Sequence, residues 1–121
     1  VRLLNIYEAL ILILSKHMPD EASIEKTFVN KNPNSSLKLG HARGVILLAL
    51  AKKKLTCFEY APNQIKKSIV GRGHADKDQI ATMVTMLLSK KIEGNSDVSD
   101  ALAIAITHAY QKHNKIAEFL S

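Results

Sequence analysis

The chain has 121 residues, 46% of them hydrophobic, with 17 Lys and Arg against 11 Asp and Glu and a formal net charge of +6. That length allows one domain with a real core, and the charge balance favours a polyanionic partner, nucleic acid first, although a soluble protein with a basic surface has the same composition. Neither a signal peptide nor a membrane span is expected in these residues, because the apolar run at residues 6–14 is short and Tyr7 and Glu8 interrupt it.

The chain opens on Val1, as a processed or truncated product would. Leu3, Leu4, Tyr7, Leu10, Ile11 and Leu14 recur at helical spacing and predict a helix over residues 3–16, which Pro19-Asp20 breaks. Residues 22–29 alternate apolar and polar side chains and predict a short interior strand, in which Glu25 has no evident structural task. A polar loop with Pro33 follows. Asn34 or Ser35 can cap a long helix over residues 36–52, and Lys52, Lys53 and Lys54 suit its negative C-terminal end. Residues 45–51 are apolar all round, which predicts a central, buried helix. Residues 56–60 read as a second strand. It holds Cys57, the only cysteine, as an inert buried thiol, so there is no disulfide framework and a reducing, cytoplasmic setting fits. Pro62 opens a short helix through Val70, and residues 71–74 form a flexible connection. Asp76 and Gln79 have capping-box spacing ahead of a helix with Ile80, Met83, Val84, Leu87 and Leu88 on one face. After a turn at residues 94–96 comes an apolar helix that starts with Asp97 and Asp100, and residues 112–121 continue or fray it. The order of elements is an α/β pattern, with parallel strands joined by a crossover.

Asp97 and Asp100 stand three residues apart, on one face of the first turn of that helix. With Glu25 they have the chemistry to hold Mg²⁺ against phosphate, since Mg²⁺ takes oxygen ligands and a pair of ions can clamp both oxygens of a phosphoryl displacement. Spacing alone favours the plainer account, in which Asp97 is the N-cap and Asp100 answers the helix dipole. The basic stretch at residues 64–77, with Lys66, Lys67, Arg72 and Lys77, follows the second strand, where open parallel sheets bind ligands. A solvated loop and helix face explain it equally well. Gly40 and Gly44 lie one helical turn apart, for packing within the chain or for a homodimer seam. Phe28 is either core or a wedge against bases. The histidines lack zinc-site spacing with cysteine, and His108, on an apolar helix, reads as a satisfied core histidine.

Residues 23–28 (SIEKTF), 36–45 (SLKLGHARGV), 59–62 (EYAP), 66–77 and 96–105 (SDVSDALAIA), in that order, resemble the RuvC-type Holliday junction resolvases of bacteria, in the RNase H-like nuclease superfamily. The resemblance covers nearly the whole chain. It implies an RNase H-like α/β fold, a central sheet flanked by helices, in one domain over residues 1–121 that lacks the first β-hairpin region. It implies a homodimer that cuts four-way DNA junctions in recombination and repair, with two Mg²⁺ ions, for which Mn²⁺ can substitute. Glu25, Asp97 and Asp100 then correspond to three of four metal-binding acids, and Lys66 and Lys77 to basic residues near the scissile phosphate. Phe28 corresponds to an aromatic that enters the crossover. Lys31, Lys38, Arg43, Lys67 and Arg72 complete the DNA-contacting candidates, and a branch-migration motor complex is a further implied partner. The family's fourth acid, a first-strand aspartate followed by Pro-Gly, has no matching position here. The expectation is therefore junction binding with poor cleavage. The first reading of function is a structure-specific DNA endonuclease, and its alternatives are a non-catalytic junction-binding remnant and a basic structural α/β domain.

Overall fold

The chain, in a computed structural model that describes residues 2–26, 32–71, 73 and 75–120, alternates helix and strand and then turns wholly helical. The elements are α1 (Arg2–His17), β1 (Glu21–Glu25), α2 (Pro33–Lys52), β2 (Thr56–Tyr60), α3 (Pro62–Val70), α4 (Lys77–Leu88) and α5 (Ser96–Leu120). β1 and β2 pair in a two-stranded sheet. Lys26 N donates to Tyr60 O at 2.9 Å, just past the end of β1 and at the end of β2. The two strands therefore finish side by side and run parallel, with α2 as their crossover.

Local chemistry sets most of the boundaries. α2 starts earlier than its expected residue 36, because the cap is Asn32. Its side chain accepts from the backbone N–H groups of Asn34 and Ser35, and Pro33 takes the first helical turn. Asn34 and Ser35 are thus the capped residues and not the caps. The helix ends in a Schellman turn: Leu55 N bonds to Leu50 O at 3.0 Å and Lys54 N to Ala51 O at 2.9 Å, with Lys54 left-handed at φ 60°. α4 opens on the expected reciprocal box, Gln79 N to Asp76 Oδ1 at 2.8 Å and Asp76 N to Gln79 Oε1 at 2.9 Å. β1 stops at Glu25, short of the expected residue 29, and residues 27–31 lie outside the described residues.

The chain forms two compact units. The first holds α1, α2 and the opening residues of both strands, and its buried side chains are Leu14, Ala49 and Leu50. The expectation of a buried helix over residues 45–51 holds in part: Ala49 and Leu50 are buried and residues 45–47 half-buried, but Leu48 is exposed, as are Leu37 and Leu39 in the first half of α2, because only part of its apolar circumference has a partner within the unit. Cys57 is half-buried, and burial pushes its thiol pKa up although the Arg43 guanidinium pulls the other way. The second unit holds the strand ends, from Ser23 to Lys26 and from Glu59 onward, with α3, α4 and α5. Tyr60, Ile65, Ile69, Ile80, Val84 and Ala103 are its buried apolar residues. Thr107 is fully buried, and its hydroxyl is satisfied by Ala103 O at 2.8 Å. Among the described residues no helix is long and apolar enough to cross a membrane.

Gly94 sets the turn into α5 with φ +103°, and a Cβ built there would lie 2.8 Å from Val98 Cγ2. Gly94→Ala is expected to lower stability by about 1–3 kcal/mol, the usual cost of a non-glycine residue held in a sparsely populated backbone region. Urea unfolding followed by circular dichroism measures it, and an unchanged midpoint would contradict the strain.

Candidate functional site

The ends of the two strands open into a cleft of about 520 Å³ in the second unit. Its position follows from topology, since parallel strands direct their carboxyl ends, and the loops after them, to one edge of the sheet. Glu25 is the last residue of β1. Pro62, Ile65 and Lys66 come from the first turns of α3, which starts directly after β2. Asp76, Lys77 and Ile80 come from the start of α4, and Asp100, Ala103 and Ile104 from α5. The cleft has an apolar floor and a charged rim of carboxylates and lysines.

Glu25, Asp100, Lys66 and Lys77, read from the sequence as site residues, all line this cleft. Lys77 Nζ lies 3.9 Å from Asp100 Oδ2, with both side chains substantially exposed, at 74% and 42%. Glu25 is exposed at the strand end and not interior as its sequence neighbours imply, because β1 stops there. Asp97 does not line the cleft. A helix advances about 1.5 Å per residue, so a side chain three positions earlier sits nearly one turn further out. Asp97 is exposed at that outer turn. As a three-acid metal group the set is not assembled in this structure, and no group of three or more His, Cys, Asp or Glu among the described residues is arranged to hold a metal ion.

The capping account of the two aspartates also changes. Asn95 Oδ1 accepts from Asp97 N at 3.0 Å and so fills the cap at the start of α5. Asp97 lies inside the first turn and Asp100 beyond it, so neither carboxylate is needed to start the helix. Asp76, a third carboxylate on the cleft rim, is committed to its own cap through Gln79 N.

Two hydrogen bonds join the strands to α5 beside the cleft. Tyr60 Oη lies 2.6 Å from His108 Nδ1, and Ser23 Oγ donates to Ile104 O at 3.5 Å. His108 is a satisfied histidine, as its apolar helix implied. Sequence patterning missed its partner, although a tyrosine at the end of a buried strand signals a hydroxyl that needs one.

Among the DNA-contacting candidates, Lys38 is exposed on α2 and Lys67 on α3, while Arg43 is half-buried and close enough to influence Cys57. Lys67 follows Lys66 by one residue and faces elsewhere, as a rotation of about 100° per residue requires. Phe28, Lys31 and Arg72 lie outside the described residues.

The family described as Crossover junction endodeoxyribonuclease RuvC matches residues 1–108. A protein of that name from Bradyrhizobium diazoefficiens is 55% identical over 113 residues, covering 93% of this chain and 65% of the relative. One from Wolbachia pipientis is 53% identical over 117 residues, covering 97% of this chain and 72% of the relative. The chain thus spans about two thirds of the length of such relatives. Among solved structures, Thermus thermophilus RuvC in complex with Holliday junction substrate superposes with a TM-score of 0.86 at 32% identity, over 92% of this chain and 68% of that one. A second structure of T. thermophilus RuvC gives 0.84 at 31% identity, over 94% and 69%.

The Lys77–Asp100 pair is too exposed to hold the fold, since such pairs contribute about 0–1 kcal/mol. Lys77→Met is therefore expected to leave the thermal midpoint nearly unchanged. A large drop would show that the pair is structural.

Proposed function

The chain belongs to the RuvC family of crossover junction endodeoxyribonucleases, and on that premise we propose that it acts on four-way DNA junctions, hydrolysing a phosphodiester at the cleft where β1 and β2 end. The observation that carries the proposal is the meeting of Glu25 and Asp100 with Lys66 and Lys77 at one open rim, from four separate elements. A phosphodiester brings a negative charge and needs both signs around it: cations for its oxygens, and anions for the counter-ion that accompanies the reaction.

The donors fit a hard divalent cation. Among the described residues the cleft offers carboxylate oxygens and no thiol or imidazole, the set that suits Mg²⁺, with Mn²⁺ as a substitute. Glu25 and Asp100 would hold it, and Asp97, one turn outward, is the further acid for a second ion. Bound there, the metal would supply Lewis-acid charge to the phosphoryl oxygens and make water a stronger nucleophile. Lys66 and Lys77 bind the non-bridging oxygens and oppose the charge that builds on them as the bond breaks. The apolar floor of Pro62, Ile65 and Ile104 keeps bulk water off one side of the phosphate.

A homodimer belongs to the same proposal. Leu37, Gly40, Gly44 and Leu48 follow one another at spacings of three and four, which makes one stripe along α2. Both leucines are 60% exposed, and a Cβ at either glycine would meet no atom within 4 Å among the described residues. Packing among the described residues therefore gives no reason for those glycines, whereas close approach by a second helix does. Two copies would bring two clefts to one junction. A cytoplasmic setting and a branch-migration motor complex as partner complete the proposal.

One observation favours a second reading, junction binding with little cleavage: the absence of an assembled three-acid metal group among the described residues. Two measurements separate the readings. Salt-dependent binding to a four-way junction, tighter than to linear duplex, is expected under both, and equal affinity for the two DNAs would reject both. Mg²⁺-dependent nicking that Asp100→Asn abolishes is expected under the first alone. Where nicking is measurable, Lys66→Ala should lower its rate more than junction affinity, because transition-state charge is the larger target. Equal losses would make Lys66 a plain phosphate anchor. Gly44→Leu should shift the sedimentation of the chain from dimer to monomer, and an unchanged profile would remove α2 from the seam.

A further inference from the structure

We infer that Tyr60 is a positioning residue of the cleft: it ties the strand end that carries Glu25 to the helix that carries Asp100, and so sets the placement of the two carboxylates toward a divalent cation. The inference rests on the metal-holding reading of the cleft given above.

Tyr60 touches both sides through different atoms. Its carbonyl accepts from Lys26 N at 2.9 Å, and Lys26 directly follows Glu25. Its phenol meets His108 Nδ1 at 2.6 Å, with the two rings 5.8 Å apart and tilted by 50°. His108 lies eight residues past Asp100, about 12 Å further along the axis of α5. The hydroxyl therefore acts on Asp100 only through the rigid helix. Midway between them, Ile104 lines the cleft, and its carbonyl accepts the longer bond from Ser23 on β1.

The physical need is directionality. The apolar side chains between α5 and its neighbours, such as Ala103, Ile80 and Val84, hold the helix close but resist a small axial slide poorly, because burial is non-directional. A short hydrogen bond resists that slide. Ligation of Mg²⁺ tolerates little error, since its oxygens must sit at about 2.0–2.1 Å in near-octahedral geometry. Tyr60 itself is 7% exposed, and phenylalanine would fill the same space, so the hydroxyl is the atom whose role can be isolated.

The test titrates Mn²⁺ into the full chain and follows free Mn²⁺ by electron paramagnetic resonance, with melting curves recorded in parallel. Tyr60→Phe and His108→Leu are each expected to raise the Mn²⁺ dissociation constant about ten-fold, the lower end of what losing an outer-shell partner costs. His108→Asn should restore most of the affinity, because its side-chain amide offers a hydrogen-bonding atom near the place of Nδ1. Ser23→Ala, at the weaker tie, should show a smaller effect in the same direction and provides an independent variant if His108→Leu does not fold. Tyr60→Phe with a lowered melting temperature but unchanged Mn²⁺ affinity would overturn the inference, leaving the bond a purely structural one. Glu25→Gln separates the two levels of the argument. If it weakens Mn²⁺ binding while Tyr60→Phe does not, positioning by Tyr60 falls alone. If it leaves Mn²⁺ binding unchanged, the metal-holding reading falls first and takes this inference with it.

Discussion

The hydrogen bond from Lys26 N to Tyr60 O joins two parallel strands at their finish, and the chemistry of the second unit is arranged around that edge. Parallel pairing sends both chain ends the same way, so the segments that leave them, and the helices that follow, must start near one another. Glu25 stands at one strand end, and α3 springs from the other within two residues, bringing Lys66 in its second turn. With the strands in the opposite sense, Glu25 and Lys66 would leave from opposite edges.

Capping decides which charges are available at that edge. The start of α4 lines the cleft and that of α5 lies a turn outside it, and exposed N–H groups at both need acceptors. Asp76 and Asn95 supply them, one through a reciprocal box with Gln79 and the other by accepting from Asp97 N. Asp100 is thereby spared a structural duty and stands beside Lys77 as a weak, exposed pair. A pair of that kind adds little to stability and can be separated at small cost. The stabilising burial lies beneath it, in Ile65, Ile69, Ile80, Val84 and Thr107.

The first unit has a different balance. Its buried set among the described residues is small, and α1 and α2 leave Leu4, Leu12, Ile13, Leu37 and Leu48 exposed. A helix that is apolar on several sides needs several partners, and within this unit α1 and α2 chiefly have each other. The stripe of Leu37, Gly40, Gly44 and Leu48 is part of that exposed apolar surface, with open space beside both glycines among the described residues.

Local rules were enough for much of the molecule. β2 and α3 were legible to the residue, because Pro62 can only open a helix and the run before it is too short for anything but a strand. The Asp76–Gln79 box was legible for the same reason: its partners lie three residues apart. The start of α2 was misread because Asn32, Asn34 and Ser35 are all able caps and pattern alone does not choose among them. The burial of residues 45–51 was legible only in part, with Leu48 exposed, because an all-round apolar sequence states what a helix prefers to contact, not what is there to contact. The site divided along the same line. Residue chemistry and spacing drew attention to Glu25, Asp97 and Asp100 and to a basic stretch at residues 64–77, while the family resemblance alone singled out Lys66 and Lys77 within it. Which of them share a cleft was decided in three dimensions, where four do and Asp97 sits a turn outside. The Tyr60–His108 bond spans 48 residues, and nothing in either neighbourhood specifies the other, so only the packing of α5 against the strand ends could produce it.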